Sequence, residues 1–393
     1  MNPGSEVGIF LFMAYLHIVY DYEVIILGGG LAGLTAVLHL AKAEKKVLVI
    51  EKYRYPKHKV CGEYVSNEVR PYLSQLGVDI NVLRPAEIAA LQLSTQTGKS
   101  IQTPLPLGGF GLSRYAFDKH LYDCAQAAGA DFLFDTASDV VHRNGIFTIT
   151  TQNNGTLTAQ VVLGAFGKRS NLDAQLNRAF IKKNSPWLGV KCHYEYDGHP
   201  SHLVGLHSFT GGYAGLSKTE KGSVNFCYLA SYKSFKKEKD LNAFTNNVVG
   251  SNPFLGSFLE KATPLFEKPL TIAQISFRRK SPIENHILLL GDSAGMLHPL
   301  CGNGMAMAIH SAKIAVESVL GHLKNPHAPI SSLEKRYASL WQHHFQQRIV
   351  MGRYLQHILL HKTFSELAIG TVARSQKIVQ TLISRTHGKP ILN

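Results

Sequence analysis

A chain of 393 residues with 45% hydrophobic and 17% charged residues is long enough for two domains, or for one large α/β unit with an insertion, and its composition is globular rather than disordered or fibrous. A formal net charge of +14 suits an anionic ligand or membrane surface, but without an RNP-type sequence, zinc-finger spacing or long Lys/Arg block a nucleic-acid partner is not expected. Five scattered cysteines (Cys61, Cys124, Cys192, Cys227 and Cys301), none in a CxxC pair, argue against a disulfide framework or structural zinc and for a reducing, cytoplasmic setting.

The first run, VGIFLFMAYLHIVY at 7–20, is apolar but too short to span a bilayer, and it lacks the basic flank of a signal peptide. It reads as a short extension, or as a start placed ahead of the true one at Met13; a peripheral membrane anchor is the alternative. Residues 24–27 are β-branched and apolar, glycines follow, and apolar residues recur at helical spacing from Leu31 to Ala43. VLVI at 47–50 ends on Glu51, which completes a strand–turn–helix–strand unit. A loop, KYRYPKHKVCGEYVS, leads to a helix over 66–76. Residues 90–103 alternate as a strand does, 113–130 read as a helix closed by Gly129, and 131–164 read as short strands with Asn-Gly turns at 144–145 and 154–155. Antiparallel strands are predicted over 187–230 and a helix over 239–262. A buried strand, a loop and a long helix follow from His286, and the tail from Ser331 is helical and basic.

Gly28, Gly30 and Gly33 satisfy GxGxxG between a strand and a helix. The first permits the tight turn, the second lets backbone approach a pyrophosphate, and the third lets helix pack on strand. The helix N-terminus then offers free N–H groups to phosphate. Glu51, at the end of the second strand, stands where a carboxylate accepts from an adenosine ribose and repels a 2′-phosphate, which disfavours NADP at this site. An ADP moiety is therefore expected on the glycines. Further on, ILLLGDSAGMLHPLCGNGMAMAIHSA at 287–312 supplies Asp292 at a strand end, His298 in a loop, and Gly302 and Gly304 opening a helix. A carboxylate there can hold a chain of hydroxyls, and the helix start can stabilise a developing anion.

The GGGLAG loop with Glu51, LSRYAFDKHL at 112–121, VVLGAFGKRSN at 161–171 and the GDSAG stretch come in one order over most of residues 23–320. In these the chain resembles the FAD-dependent oxidoreductases that include aromatic hydroxylases, geranylgeranyl reductases and flavin halogenases. The resemblance implies FAD as cofactor. It implies Asp292 on the ribityl chain, the backbone N–H groups of Gly302, Asn303 and Gly304 near the flavin N1–C2=O edge, and Arg114 near the cofactor, with a helix-surface arginine as the alternative for Arg114. Where the family commonly has Asp-Gly, this chain has Phe166-Gly167, which removes that carboxylate. With no second GxGxxG, NADH or NADPH as reductant would have no nucleotide fold of its own.

KVCGEYVS at 59–66 and GDSAG resemble the geranylgeranyl-reductase-like branch. GYAGLSK at 212–218 keeps Tyr213 but lacks the bulky residues that branch carries on its substrate side, and Trp187 and Trp341, the only tryptophans, stand too far apart for the halogenase motif. The expected fold is α/β: a doubly wound, mostly parallel FAD-binding sheet over 21–180 and 270–325, an antiparallel-sheet substrate domain over 181–269, and a helical region over 326–393. The expected chemistry is hydride transfer between flavin and an apolar or aromatic small molecule, foremost reduction of a carbon–carbon double bond in a lipid or polyene. A hydroxylase and a non-catalytic FAD-binding protein are the alternatives. Cys61, His298 and Tyr213 are the catalytic candidates, with loop or core packing as the competing role for Cys61 and His298. No metal is expected, because His357 and His361, spaced i, i+4, lack a third ligand. The basic tail over 347–389 either lies on an anionic membrane or packs on the body.

Overall fold

The computed structural model describes residues 20–360 except 239 and 326, and, in the tail, 363, 366, 380, 381, 383 and 386–392; of 299 and 357–360 only the backbone is described. The N-terminal run up to residue 19, the His357–His361 pair and most of the basic tail beyond 360 lie outside the described side chains. Among the described residues no helix is long and apolar enough to cross a membrane.

Strand β1 (Tyr22–Leu27) enters α1 (Leu31–Lys42) through the glycines, and β2 (Val47–Glu51) returns parallel to β1. Their apolar runs are buried on both faces, as a parallel sheet covered by helices requires. After β3 (Tyr64–Ser66) and α2 (Arg70–Gln75), a long hairpin forms from β4 (Ala86–Ser94) and β5 (Ser100–Gly111). Helix α3 (Arg114–Ala127) is capped by the Ser113 side chain, which accepts from the Ala116 N–H. Strands β6 (Asp131–Phe134), β7 (Ala137–Arg143), β8 (Ile146–Thr151) and β9 (Thr156–Gly164) follow. Asn144 and Gly145 both take positive φ between β7 and β8, as an Asn-Gly hairpin turn demands. Strand β9 runs parallel to β1, and α4 (Asn171–Gln175) opens on a Ser170–Asp173 capping box.

Strands β10 (Trp187–Glu195), β11 (Leu203–Phe209), β12 (Gly212–Lys218) and β13 (Val224–Ser231) match the antiparallel run read from the sequence. The helix expected over 239–262 is instead interrupted. After α5 (Tyr232–Glu238), α6 (Leu241–Ala243) runs into a π-helical turn at Phe244–Val249, and α7 (Pro253–Lys261) starts anew with Asn252 as its cap. Pro253 has no N–H with which to continue the earlier helix. Short strands β14 (Thr263–Pro264), β15 (Leu270–Ile272), β16 (Ile283–Glu284) and β17 (Ile287–Leu289) lead to α8 (Gly304–Leu323) and α9 (Ile330–Leu360).

Two sheets result. The first has the order β16-β17-β9-β1-β2-β6, with β7 and β8 extending from β9; its central pairs are parallel. The second has the order β14-β10-β13-β12-β11-β4-β5-β3, with β15 also on β10. Strands β3, β4 and β5, from within 21–180, and β15, from the start of 270–325, therefore pair in the sheet expected to come from 181–269 alone. The reason is the edge of β11: β4 adds to it in parallel, and an alternating strand does not encode which edge it will meet. Helices α1 and α8 pack together over the first sheet, and Gly291 lets them meet: a Cβ there would lie 3.3 Å from the Cβ atoms of both Ala32 and Ala308.

Candidate functional site

A cavity of about 980 Å³ lies between the two sheets, bounded by the starts of α1 and α8, the 57–63 segment and the inner face of β11–β13. The sequence-predicted residues Gly28, Gly30, Glu51, Cys61, Arg114, Tyr213, Asp292, Gly302 and Gly304 all line it; Gly33, His298 and Asn303 do not.

Each glycine of the first loop has its own reason. Gly28 has φ +103°, and a Cβ there would lie 2.5 Å from the Ala165 carbonyl oxygen. At Gly33 a Cβ would lie 2.0 Å from the Gly28 oxygen, so this position is needed for helix-on-strand packing and not for contact with a ligand. Gly30 is different: its nearest neighbours to a Cβ are cationic, Arg114 Nη2 at 3.7 Å and Lys59 Nζ at 3.8 Å. It caps α1 without a side chain, leaving the first amides of the helix open beside two cations, which together suit a pyrophosphate. Glu51 accepts from the Gly29 N–H at 2.6 Å and the Tyr53 N–H at 3.1 Å, and it stays on the cavity wall.

Arg114 is no surface arginine. It forms a two-pronged pair with Asp118, Nε to Oδ1 at 2.6 Å and Nη2 to Oδ2 at 2.7 Å, and Asp118 is also 3.3 Å from Lys59 Nζ. Burial works against the Arg114 charge, but Asp118 outweighs it and raises the pKa of the guanidinium. At the far end, Gly302 has φ +63° beside Tyr64, and a Cβ on Gly304 would meet nothing, so the N-terminus of α8 is open. The Asn303 side chain turns away: its Nδ2 donates to Glu68 Oε1 and to the Thr386 carbonyl, each at 3.3 Å. The Asp292 carbonyl accepts from Lys280 Nζ at 2.7 Å, and Gly167 donates to Ser293 Oγ at 2.8 Å, so the Phe166-Gly167 turn is tied to the Asp292 loop without the family's carboxylate.

Much of the rest of the wall is apolar, contributed by residues such as Leu91, Leu206, Leu229, Ile275 and Met296. Tyr213 stands among them on β12, and burial pushes its hydroxyl pKa well up. Burial also pushes the Cys227 and Cys301 thiols up to about 12. Cys61 faces the cavity with its carbonyl held by Asn225 Nδ2 at 3.2 Å. His298 sits behind the wall, 4.5 Å from the Phe277 ring and 5.8 Å from the Tyr213 ring, with burial lowering its pKa to about 3. It packs there behind the residues that line the cavity.

Sequence reading missed Asp118, Lys59 and a buried polar cluster around Glu63. The Arg-x-x-x-Asp spacing on α3 was a usable signal for Asp118. Glu63 gave none: it has φ +55°, is wholly buried, pairs with Lys191, and lies 2.7 Å from His193 Nε2 through Oε2. Its other oxygen also accepts from the Arg114 N–H at 2.7 Å. Burial raises the Glu63 pKa, but the His193 hydrogen bond and the Lys191 charge more than reverse this, and the carboxyl is held below its ordinary value.

Two open helix N-termini, a side-chain-free cradle flanked by cations, and carboxylates at two strand ends fit an extended dinucleotide. Residues 21–337 match the family model described as "FAD binding domain", and the chain belongs to that family. It is an FAD-dependent oxidoreductase. It is 23% identical to conditioned medium factor receptor 1 of Dictyostelium discoideum, over 85% of this chain and 71% of that one. It is 25% identical to a digeranylgeranylglycerophospholipid reductase of Thermoplasma volcanium, over 75% and 77%. Among solved structures a flavin-dependent brominase shares the fold, with a TM-score of 0.75 at 16% identity, covering 93% of each chain. The cavity's walls suit a small apolar or aromatic substrate.

Proposed function

We propose that the chain uses FAD to insert oxygen into an apolar or aromatic molecule held between the glycine loops and the second sheet. The observation that carries this is the state of the deep wall. It is mostly hydrocarbon, and three of the titratable groups set in it, Tyr213, Cys227 and Cys301, hold their protons tightly because burial disfavours their anions. A double-bond reduction must hand a proton to a substrate carbon, and such groups are poor sources of one. Oxygen insertion instead gains from a site that excludes water. In balance, one atom of dioxygen enters the substrate and the other leaves as water, with two electrons drawn from a nicotinamide through the flavin.

Bound FAD would supply the redox chemistry. The chain's own part is to hold it: the α1 amides with Lys59 and Arg114 at the pyrophosphate, Glu51 at the ribose, Asp292 at the ribityl hydroxyls and the α8 N-terminus at the pyrimidine edge. NADH or NADPH is the proposed reductant, entering from the cavity mouth. A cytoplasmic setting with peripheral membrane contact would suit an apolar substrate.

Reduction of a carbon–carbon double bond is the second reading. It is favoured by Cys61, a thiol on the cavity wall, and by the reductase relative, whose name points to polyprenyl lipids. The test is turnover with phenolic and polyene candidates, with and without air. Products that gain one oxygen atom, with matched loss of nicotinamide and dioxygen, are expected. Products that gain two hydrogens under anaerobic conditions would overturn oxygen insertion in favour of reduction.

A further inference from the structure

Segment 57–63 is fixed by an unusual run of contacts. The Lys59 carbonyl accepts from Lys191 Nζ, Val60 from Lys168 Nζ, Cys61 from Asn225 Nδ2 and Gly62 from Ser217 Oγ, each at 3.2 Å, and Glu63 accepts from the Leu112 N–H at 3.0 Å. Five successive carbonyls are thus satisfied, four of them by side chains from distant elements. His58 is the exception in this segment: its Nδ1 is buried and has no hydrogen-bond partner. A buried polar atom left unpaired is costly and calls for a reason.

The reason lies next to it. The His58 ring centre is 5.3 Å from that of His193, and His193 Nε2 is 2.7 Å from Glu63 Oε2. One ligand atom from each of His58, Glu63 and His193 falls within 4.8 Å of the other two. Phe266 packs on both imidazoles, with ring centres at 4.8 and 4.9 Å, and Tyr115 stacks on His58 at 4.7 Å. Lys191 and the Arg114 N–H both take Glu63 Oε1, so Oε2 is the oxygen turned to the histidines.

We propose that His58, Glu63 and His193 form a site for a divalent transition-metal ion of the zinc class in the cavity wall, tying segment 57–63 to β10. Two nitrogens and one carboxylate oxygen are a donor set such ions accept. Ligands at about 2.1 Å in tetrahedral array stand about 3.4 Å apart, so the half-buried His58 ring must turn inward and the 2.7 Å contact between His193 and Glu63 must open for the ion to enter. Three protein ligands leave coordination open for water or a further ligand, at a wall that His58 and Glu63 line. Lys191 already neutralises Glu63, which makes this ion weaker and more exchangeable than a structural zinc. The partners come from residues 58, 63 and 193, a spacing that no sequence pattern for metal ligands covers. The site does not depend on the reaction assigned to the flavin, so its test reads metal binding and not turnover.

The full, FAD-loaded protein is stripped with a chelator and titrated with Co2+, whose tetrahedral absorption lies to the red of oxidised flavin. One Co2+ per chain, displaced by Zn2+, is expected. His58→Ala should weaken binding at least about tenfold, while His286→Ala, outside the cluster, should leave it unchanged. His58→Ala removes a ring whose Nδ1 holds nothing, and its flavin absorbance confirms folding. Lys191→Met should tighten binding, because a competing cation is gone. No cobalt band, or a band with equal affinity in His58→Ala, would overturn the site.

Discussion

The two walls of the cavity are built on different principles. On the side of the first sheet the backbone does the binding: glycines remove side chains, and helix starts present amides. On the side of the second sheet side chains do the work, brought together from far along the chain, as Lys191 is to Glu63 across 128 positions. The first wall depends on which residues are missing a Cβ. The second depends on strand register, since Gly189, Lys191 and His193 share a face of β10 only while its pairing with β13 holds.

The largest effect should come from breaking the first wall where it is tightest. Gly33→Val forces side-chain atoms into the Gly28 carbonyl, and Gly28→Val adds a strained φ; either should cost more than about 4 kcal/mol and leave little folded, flavin-bearing protein. Gly30→Ala, with room for its methyl, should leave the unfolding temperature of the FAD-free protein unchanged and weaken FAD binding about tenfold or more, about 1.4 kcal/mol. A loss of fold in Gly30→Ala would contradict the division of roles between these glycines.

The second wall should break by electrostatics. Glu63→Leu strands the Lys191 ammonium in the interior and should cost about 3–5 kcal/mol in urea unfolding. Adding Lys191→Met should restore much of that loss, since two apolar residues replace a buried pair more easily than one charge survives alone. Full additivity of the two losses would show that the pair is not coupled.

A smaller, graded effect should follow pH. Burial lowers the His207 and His310 pKa values to about 3, from an ordinary 6.5. The unfolded chain therefore binds protons that the folded one refuses. Stability from these groups is fully present above about pH 6.5 and falls as pH drops toward about 3, by about 1.4 kcal/mol per pH unit for each. Glu63, also held below its ordinary value, adds loss in the same direction at lower pH, below about 4.5. Urea midpoints between about pH 7.5 and about pH 5 should decline, and His207→Asn, which keeps a partner for Ser94 Oγ, should flatten the slope. The smallest effect is expected from Tyr213→Phe, whose hydroxyl makes no hydrogen bond among the described residues: below about 1 kcal/mol in stability, with turnover retained. A large loss of turnover with the fold intact would make Tyr213 a proton donor and favour reduction.

Much of the first wall is legible in the amino-acid sequence. Gly28, Gly30, Glu51 and Asp292 follow from local rules: a strand end, a turn that only glycine makes, a helix start. Arg114 and Tyr213 line the cavity, while His298 does not. For His298, the sequence specifies the loop but not the direction in which a side chain leaves it. Strands β3, β4, β5 and β15 show the same limit at larger scale, because a short apolar or alternating run says that a strand forms and not which sheet it joins.

By itself the sequence determined a strand–glycine–helix unit, the ADP moiety expected on it and the runs that become strands, because each rests on contacts between residues close in the chain. Only the tertiary structure decided the apolar cavity, the pairing of Arg114 with Asp118 in place of solvent, and the meeting of His58, Glu63 and His193. Those depend on register and on the packing of one sheet against another, where one residue's partner is fixed by the positions of all the rest.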